Sequence, residues 1–486
     1  MNIHAAHRTE ARSALPLAWP ALACAGAACL IASQVSVELW LTTTTLLFTS
    51  VLAWPFVSRR IPLGTGNPLV FFLAYYAFAM LLRGLGLLTF VDSPYLSELG
   101  GPDSPYFRRL LGDVFFWSSA LLVCLYAGWH ARAGSRLATA ALARFPGFAS
   151  PWRPERMRLA MGVLLGLGLL GALLRLKTMG GFTAVTGDLV GSGTDQALGR
   201  WWMLALTEFA VVGFHIWAVG RFVREGASAT RTVLLASLCF AAPLFIVTSS
   251  KYVIIRIVFL TLIWRHFLAK PLAARTLMAV FAVFGLLFPL FYAYRAVGLV
   301  GLDAIRTYLE TTDAPLLKIF HRAYDADSFM LVLHRAGREV PLEWGGTMLD
   351  VLYFWIPRAL WEAKPMSFGL TFAQNYMPDF HFEVMTYMSP SLPGELWANF
   401  AWPGVLAGGF ALGIALRASW EAVHRGGPSL LILHGFWFLT VVHLVEGSIA
   451  SKFTSLATQL VPLMLATAIL ARSGSQTPQV PVRERR

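Results

Sequence analysis

The chain is dominated by apolar stretches of about 20 residues, the length of helix that spans the hydrocarbon core of a bilayer. It is 57% hydrophobic and only 13% charged, with a mean hydropathy of +0.61. Soluble domains are about 45–50% apolar and about 25% charged. The sequence therefore predicts an all-α, polytopic integral membrane protein.

About twelve stretches satisfy this length criterion. They lie near residues 15–33, 38–57, 69–90, 113–131, 159–176, 201–220, 232–249, 252–268, 276–297, 396–416, 429–446 and 453–471. The first follows Arg8 and Arg12, as a signal peptide would, but with so many spans behind it we interpret it as a retained signal anchor. An even number of spans places both termini on one side.

Arginine and lysine are concentrated in one alternating set of loops, which in membrane proteins face the cytoplasm. These cations are Arg8, Arg12, Arg59, Arg60, Arg132, Arg136, Arg144, Arg153, Arg156, Arg158, Arg221, Arg224, Arg231, Lys270, Arg275, Arg425, Arg483, Arg485 and Arg486. The pattern predicts a multi-pass protein with both termini in the cytoplasm. The net charge of +13 is thus interpreted as a topology signal, and nucleic acid is not expected as a partner.

The spans divide the chain into an N-terminal bundle of about nine helices (1–297), a large outer loop (298–395), C-terminal spans (396–471) and a disordered cytoplasmic tail (472–486). Within the loop, residues 315–334 show helical spacing after Pro315, and we expect this helix to lie on the membrane surface or to cap a cavity. The Gly- and Thr-rich segment 180–195 lacks the Lys-Ser/Thr ending of a P-loop and is interpreted as a flexible loop.

Ionisable residues within or at the edge of apolar stretches are functional candidates, because an unpaired charge in a bilayer is costly. They are Arg83, Arg175, Glu208, Lys251, Arg256, Arg295, His434, His443 and Glu446. Arg175 and Arg295 lie near span ends and could simply extend to the interface. Lys251 and Arg256 would lie roughly 7–8 Å apart along one helix, a spacing compatible with binding a diphosphate.

The outer loop also carries cations, which are Arg306, Lys318, Arg322, Arg335, Arg338, Arg358 and Lys364. Long translocated loops escape the positive-inside rule, but we favour an anionic ligand at this surface. Among the neighbouring carboxylates, Asp325, Asp327 and Glu395 could act as a general base on a sugar hydroxyl. For any one of them a solvated salt bridge is the simpler interpretation.

His443 and Glu446 stand three residues apart and could ligate a metal, but without a second such pair we favour a hydrogen-bonded pair. The cysteines form no CxxC pair and lie in apolar stretches, at Cys24, Cys29, Cys124 and Cys239. We therefore predict no disulfide framework and no zinc site.

Two segments resemble signatures of the Wzy-type O-antigen and exopolysaccharide repeat-unit polymerases. Tyr353-Phe-Trp-Ile-Pro-Arg-Ala-Leu-Trp-Glu-Ala-Lys-Pro resembles Pro-Arg-x-x-Trp-x-x-Lys-Pro. Ser389-Pro-Ser-Leu-Pro-Gly-Glu-Leu-Trp-Ala-Asn-Phe-Ala-Trp-Pro-Gly-Val resembles Gly-Glu-x-x-x-Asn-Phe-Gly-x-x-Gly. The layout is also similar, with one large late loop. Ala401 stands where the family pattern usually has Gly, and Lys251 where Arg is commoner.

The resemblance implies a GT-C-like architecture and an inverting, metal-independent glycosyl transfer without a cofactor, at the periplasmic face of the bacterial inner membrane. The growing glycan would leave its undecaprenyl diphosphate carrier and join the next lipid-linked repeat, with Arg and Lys stabilising the leaving group. On this hypothesis the diphosphate is bound by Lys251, Arg256, Arg295, Arg322, Arg358 and Lys364, the acceptor is activated by Asp325, Asp327 or Glu395, and Asn399 and Trp361 serve the acceptor or the local structure.

The expected partners are the lipid-linked oligosaccharide, the bilayer and, as a candidate, a chain-length regulator protein. A related O-antigen ligase, or another polyprenyl-linked glycosyltransferase, shares the layout and stays an alternative. A lipid-linked sugar flippase is a second alternative, but it would more often show repeated halves and broken helices at corresponding positions. A structural membrane protein would leave the outer-loop cations and the two motifs unexplained.

Overall fold

The computed structural model describes most of the chain, and the statements below concern those residues. They are residues 31–58, 61–62, 64–89, 93–178, 181, 201–248, 251–273, 275–276, 279–280, 282–283, 323–356, 360–378 and 388–471.

The described part of the chain is helical, with no β-strand beyond two isolated bridges. The main helices are α1 (Val37–Ser58), α2 (Pro68–Leu87), α3 (Pro105–His130), α4 (Arg132–Arg144), α5 (Met157–Thr178), α6 (Trp201–Glu225), α7 (Thr230–Thr248), α8 (Lys251–Leu268), α9 (Asp325–Arg335), α10 (Phe368–Tyr376), α11 (Leu392–Arg425), α12 (Pro428–His443) and α13 (Ile449–Leu470). Short helical turns lie at Pro94–Leu99, Pro146–Ala149, Pro154–Arg156, Gly226–Ala229, Gly346–Met348 and Asp350–Tyr353.

Seven helical stretches of these residues are long and apolar enough to cross a membrane, so the chain is a polytopic helical membrane protein. They are Val37–Ser58, Pro68–Leu87, Pro105–His130, Pro154–Thr178, Ala205–Phe245, Leu392–Arg425 and Ile449–Leu470.

The predicted count of twelve spans is not established by these seven stretches. Ala205–Phe245 covers most of two predicted spans, 201–220 and 232–249, because α6 and α7 are joined through the turn Gly226–Ala229. Neither α8 nor the 16-residue α12 is among the seven. The predicted spans 15–33 and 276–297 lie largely outside the described residues.

Glycines bring α3 and α11 into close contact. A Cβ atom added at Gly413 would lie 2.0 Å from the carbonyl oxygen of Leu125, and one at Gly409 would lie 2.5 Å from that of Leu121. Because lipid and apolar side chains are equally hydrophobic, membrane helices associate through such close packing. This contact places α11, which carries the second motif, against the N-terminal bundle.

Helix α9 is buried within the bundle. Its residues Phe329 and Met330 are fully buried in the same hydrophobic core as Phe48, Leu111 and Leu412 of α1, α3 and α11. A position on the membrane surface, one of the two predicted for residues 315–334, is therefore wrong for the described part of this helix, and the other, capping a cavity, stays a prediction. The amphipathic spacing was correctly recognised, but both faces of the helix find partners, which periodicity alone does not reveal.

Helix α11 is broken at Phe400 and Ala401, whose φ/ψ angles of −136°/15° and 52°/−145° are not helical. Such a break leaves carbonyls of the preceding turn without partners in the helix. Two amides of the outer loop provide the missing partners. The amide of Glu343 donates to the carbonyl of Ala398 at 3.0 Å, and that of Trp344 donates to the carbonyl of Asn399 at 3.1 Å. The outer-loop segment is thus tied to the break.

The loops meet at two ends of the bundle. At the first, which we name the arginine-rich end, the amide of Arg153 donates to Leu470 and that of Gly427 to Phe148. At the second, named the motif end, the amide of Leu392 donates to Val445. The segment 389–405, which resembles the second polymerase signature, therefore lies at the motif end, and the turn Asp350–Tyr353, where the first begins, contacts α13 there.

Candidate functional site

Polar side chains from several helices converge where α12 turns into α13. We name Tyr75, Tyr252, Asp325, His443 and Glu446 the Glu446 cluster. The Glu446 carboxylate accepts a hydrogen bond from the Tyr75 hydroxyl, and its other oxygen lies 2.7 Å from Nδ1 of His443. The Tyr252 ring stands edge-on to the His443 ring, with 4.7 Å between centroids. The predicted hydrogen-bonded pair of His443 and Glu446 is confirmed.

Asp325 joins the cluster from the first turn of α9 and is only 1% exposed. Its carboxyl group accepts a hydrogen bond from the Ser389 hydroxyl at 3.2 Å. Burial, and then repulsion from Glu446, raise the pKa of Asp325 well above its usual range. A protonated Asp325 beside ionisable neighbours is suited to donate a proton or to hydrogen-bond a substrate oxygen.

Glu446 is in the opposite situation. Burial opposes its ionisation, but the hydrogen bond and charge of His443, the charge of Lys452 and the hydrogen bond from Tyr75 lower the pKa of Glu446 to about 2. Two neighbouring carboxyl groups, Asp325 and Glu446, therefore have pKa values that their surroundings push apart. That arrangement is typical of sites in which one group acts as an acid and the other supports a base.

The second motif segment assembles this cluster. Ser389 contacts Asp325 through its hydroxyl, and the amide of Leu392 donates to the carbonyl of Val445, next to Glu446. Glu395 accepts a hydrogen bond from the amide of Ile449, at the start of α13. The segment thus contacts the turn that carries Glu446 on both sides.

Glu395 and Asn399 form a buried network that fixes the break in α11. The Thr347 hydroxyl donates to Glu395 at 2.8 Å, and the Asn399 side-chain amide donates to Thr347 at 2.7 Å. The side-chain oxygen Oδ1 of Asn399 accepts a hydrogen bond from the main-chain amide of Gly345 at 2.9 Å. Both side chains are fully buried. The predicted acceptor or structural residue Asn399 therefore has a structural role here.

Backbone strain is also concentrated at the motif end. The non-glycine residues with positive φ among the described residues are Trp344 (48°), Ser391 (60°) and Ala401 (52°). Each belongs to, or is hydrogen-bonded to, the segments that hold the Glu446 cluster. Strained backbone is retained where the surrounding structure requires it, and it collects at functional sites.

The predicted base Asp327 forms a buried ion pair. Arg83 donates to both oxygens of the Asp327 carboxylate, at 2.8 and 2.7 Å, and both side chains are fully buried. This pair explains how Arg83 is tolerated within a membrane-spanning helix. It also occupies both oxygens of the Asp327 carboxylate, so its assignment as a base stays an untested prediction.

The predicted diphosphate ligand Arg256 pairs with Glu208. Two nitrogens of its guanidinium lie 2.8 and 2.9 Å from the Glu208 carboxylate, and Arg256 is 2% exposed. Its guanidinium also lies over the Tyr252 ring, 5.5 Å from the centroid. Arg256 therefore contacts the Glu446 cluster through the Tyr252 ring, which it packs against.

The first motif segment is held by Lys364. Its ammonium donates to the carbonyls of Phe354 and Ile356 at 3.0 and 3.2 Å. The Trp361 ring packs against the Tyr353 ring, with 5.4 Å between centroids. The predicted site residues Lys364 and Trp361 thus make contacts within their own segment, to residues 353–356.

Three predicted diphosphate ligands, Arg295, Arg322 and Arg358, lie outside the described residues. Lys251 begins α8, one residue before Tyr252 of the cluster. Its assigned role as a diphosphate ligand stays a prediction, together with those of the three arginines.

The chain was compared with protein-family models, with curated proteins and with solved structures. None of them matches. The residues described above hold no group of three or more His, Cys, Asp or Glu side chains placed to bind a metal ion. The site is therefore interpreted from its own geometry.

Sequence reasoning included part of this site and missed the rest. Asp325 was a predicted catalytic residue, and it is in the Glu446 cluster. His443 and Glu446 were recognised as intramembrane ionisable residues but were not assigned to the site. Tyr75 and Tyr252 were missed, because tyrosines in apolar helices carry no signal that separates them from ordinary core residues.

Proposed function

We propose that this protein polymerises lipid-diphosphate-linked oligosaccharide repeats at the outer face of a bacterial inner membrane. The observation that carries the proposal is the way the segment resembling the polymerase signature, 389–405, contacts Asp325 and the turn bearing Glu446. Paired carboxyl groups, an imidazole and two tyrosines in a helical membrane bundle suit the activation of a sugar hydroxyl.

In the proposed reaction the acceptor hydroxyl of one lipid-linked repeat attacks the anomeric carbon of the glycan on a second carrier. The diphosphate leaves with the electron pair of the broken carbon–oxygen bond. Lys251, Arg295, Arg322 and Arg358 are the proposed diphosphate ligands, since cations in a partly dehydrated cleft stabilise the developing charge. Arg256 and Lys364 bind Glu208 and main-chain carbonyls, so we assign them a positioning role.

The proposed substrate carries a polyprenyl chain, and the motif end presents apolar side chains suited to a lipid. Trp344, Leu352, Trp355 and Leu360 are 74%, 68%, 61% and 81% exposed. Tryptophan with aliphatic neighbours is typical of membrane–water interfaces. We propose that this surface contacts the bilayer beside the entrance to the site.

The proposed orientation places the motif end outside the cytoplasm and the arginine-rich end inside. Several arginines of α4 are exposed, Arg132, Arg136 and Arg144 among them, and they fit the positive-inside rule at the arginine-rich end. Both termini are then proposed to be cytoplasmic.

Deletion of the gene from the native host tests the proposed function. Lipopolysaccharide and exopolysaccharide are separated on a gel beside the lipid-linked intermediates, with the deletion strain carrying the unmodified gene on a plasmid as control. The expected result is loss of the polymer ladder and accumulation of single lipid-linked repeats. An unchanged ladder would exclude a polymerase. Full-length polymer retained on its lipid carrier would instead indicate a ligase, and repeats trapped on the cytoplasmic leaflet a flippase.

A complementation series tests the diphosphate ligands. Arg358→Ala is expected to insert normally and to leave single repeats unpolymerised, because one cation at the leaving group is removed. Arg338→Ala, an exposed residue of the same loop, serves as the matched control and is expected to restore the ladder. A full-length ladder from Arg358→Ala would remove Arg358 from the site.

A further inference from the structure

We infer that His443 is the general base that accepts the proton of the acceptor hydroxyl at Nε2, and that Glu446 is a positioning residue that holds the imidazole through Nδ1. The inference rests on the proposed function and deepens it, because it assigns the base to a helix end rather than to any of the carboxylates predicted from the sequence.

The hydrogen bonds of Glu446 determine which nitrogen of His443 is available. An ionised carboxylate only accepts hydrogen bonds, so Nδ1 of His443 must carry the proton in the 2.7 Å contact with Glu446. In a neutral imidazole the other nitrogen then has a free lone pair. Within the part of the chain that the structure describes, no residue makes a hydrogen bond to Nε2 of His443, so among these residues that nitrogen is available as a proton acceptor.

The environment favours an ionised Glu446 that does not move. Tyr75 binds one carboxylate oxygen and His443 the other, so both the rotamer and the hydrogen bonding of Glu446 are set. The low pKa of Glu446, about 2, keeps it charged at neutral pH. A carboxylate in this position orients the imidazole and stabilises the imidazolium that forms when it accepts a proton.

His443 and Glu446 are more accessible to solvent than the carboxylates that the sequence predicted as bases. The side chains of His443 and Glu446 are 23% and 37% accessible. Glu395 is fully buried, with its two oxygens bound to Thr347 and to the amide of Ile449. Asp327 is fully buried and forms an ion pair with Arg83. An acceptor sugar can therefore reach His443 more readily than any predicted carboxylate.

The charged and titratable groups around the pair come from every helix that packs against it. Tyr75 of α2, Tyr252 of α8, Asp325 of α9 and Lys452 of α13 face Glu446 or His443, and Arg256 with Glu208 lies behind Tyr252. Burial raises the carboxyl pKa of Asp325, which favours its neutral form. Among these groups, Glu446 is the one whose carboxylate is hydrogen-bonded to His443.

The proposed glycosyl transfer is a single displacement at the anomeric carbon. Nε2 of His443 takes the hydroxyl proton while the hydroxyl oxygen forms a bond to the anomeric carbon. The bond from that carbon to the diphosphate oxygen breaks, and its electron pair leaves with the diphosphate. The imidazolium, paired with Glu446, then releases its proton to water, and the site returns to its starting state.

The test uses the full-length protein in nanodiscs and single lipid-linked repeats extracted from the deletion strain. His443→Gln is expected to lower the rate of polymerisation by about 100-fold or more, because general bases contribute that much. His334→Gln is the matched control: this histidine contacts Tyr106 through an exposed hydrogen bond, outside the cluster. Thermal unfolding of each variant in detergent checks that the fold is retained.

The pH profile separates a positioning role from a merely structural one. The rate of the unmodified protein is expected to fall in acid solution, because an imidazolium cannot accept a proton. Glu446→Gln is expected to move this acid limb to lower pH, since the imidazolium loses its carboxylate partner. Where His443→Gln does not fold, the pH profile of Glu446→Gln still tests whether the His443–Glu446 pair acts in proton transfer.

Two outcomes would overturn the inference while leaving the proposed function intact. One is polymerisation by His443→Gln at the unmodified rate, and the other is an acid limb that Glu446→Gln leaves in place. A deletion strain that keeps its polymer ladder is a different failure, because it removes the proposed function and this inference with it.

Discussion

Ala401 has φ 52° and ψ −145°, a region of backbone conformation that glycine adopts readily and alanine rarely. The resembled signature has Gly at this position. The structure supplies a physical reason for that preference: the chain must turn here so that α11 can break and its carbonyls can reach Glu343 and Trp344.

We predict that Ala401→Gly stabilises the protein by about 1 kcal/mol, because it removes the strain of a Cβ at positive φ. The apparent unfolding temperature in detergent, followed by fluorescence, measures the effect. Ala411→Gly in the helical part of α11 is the control and should lower stability by about 1 kcal/mol. A lower unfolding temperature for Ala401→Gly would contradict the assigned strain.

Asp325 allows a prediction about pH. Burial and Glu446 raise its carboxyl pKa above the ordinary value of 3.8, so the unfolded chain ionises before the folded one. Its contribution to stability is therefore full below pH 3.8 and is lost as the pH rises toward the folded pKa.

Asp325→Asn is expected to keep the acceptor for Ser389 and to remove this pH-dependent loss of stability. Its unfolding temperature at pH 7 should equal or exceed that of the unmodified protein, while polymerisation falls. Unfolding curves between pH 4 and pH 7 measure the difference. A variant that is less stable at pH 7 would show that Asp325 is ionised in the fold.

At the scale of elements, α9 is attached to α2 by the ion pair of Arg83 and Asp327 within a hydrophobic core. Removing one member of a buried pair leaves the other charge uncompensated, which costs about 3–5 kcal/mol. Replacing both members with apolar side chains is often neutral.

We therefore predict that Asp327→Ala lowers the yield of monodisperse protein sharply, whereas the double variant Arg83→Met with Asp327→Leu recovers most of it. Size-exclusion chromatography of the detergent-solubilised protein provides the measurement. Equal losses for the single and double variants would mean that the carboxylate has a function other than neutralising Arg83.

For the whole molecule, the two ends of the bundle should lie on opposite sides of the membrane. Asp103 at the motif end and Ala140 of α4 at the arginine-rich end are exposed positions. A cysteine at either position reports its side through an impermeant maleimide, and the unmodified chain serves as the background control.

Asp103→Cys is expected to react in intact spheroplasts, and Ala140→Cys only after the membrane is permeabilised, because cation-rich loops stay in the cytoplasm. The reverse pattern would place the Glu446 cluster on the cytoplasmic side. It would then exclude the proposed outer-face polymerisation.

The sequence by itself determined that this chain is a helical membrane protein, and it singled out Asp325 and the segment 389–405, which contacts the Glu446 cluster. Apolar length and charge bias act locally along the chain, so they can be recognised without a fold. Glu395 and Asn399 were recognisable from a motif, and both bind Thr347 in the structure.

Only the tertiary structure decided how these segments combine. Arg83 meets Asp327, and Arg256 meets Glu208, across large separations in sequence. Periodicity gives the same pattern for a helix that faces lipid and one that is buried on all sides, which is why α9 was misplaced. The site around Glu446 exists because separate helices converge, and convergence depends on packing rather than on any local sequence signal.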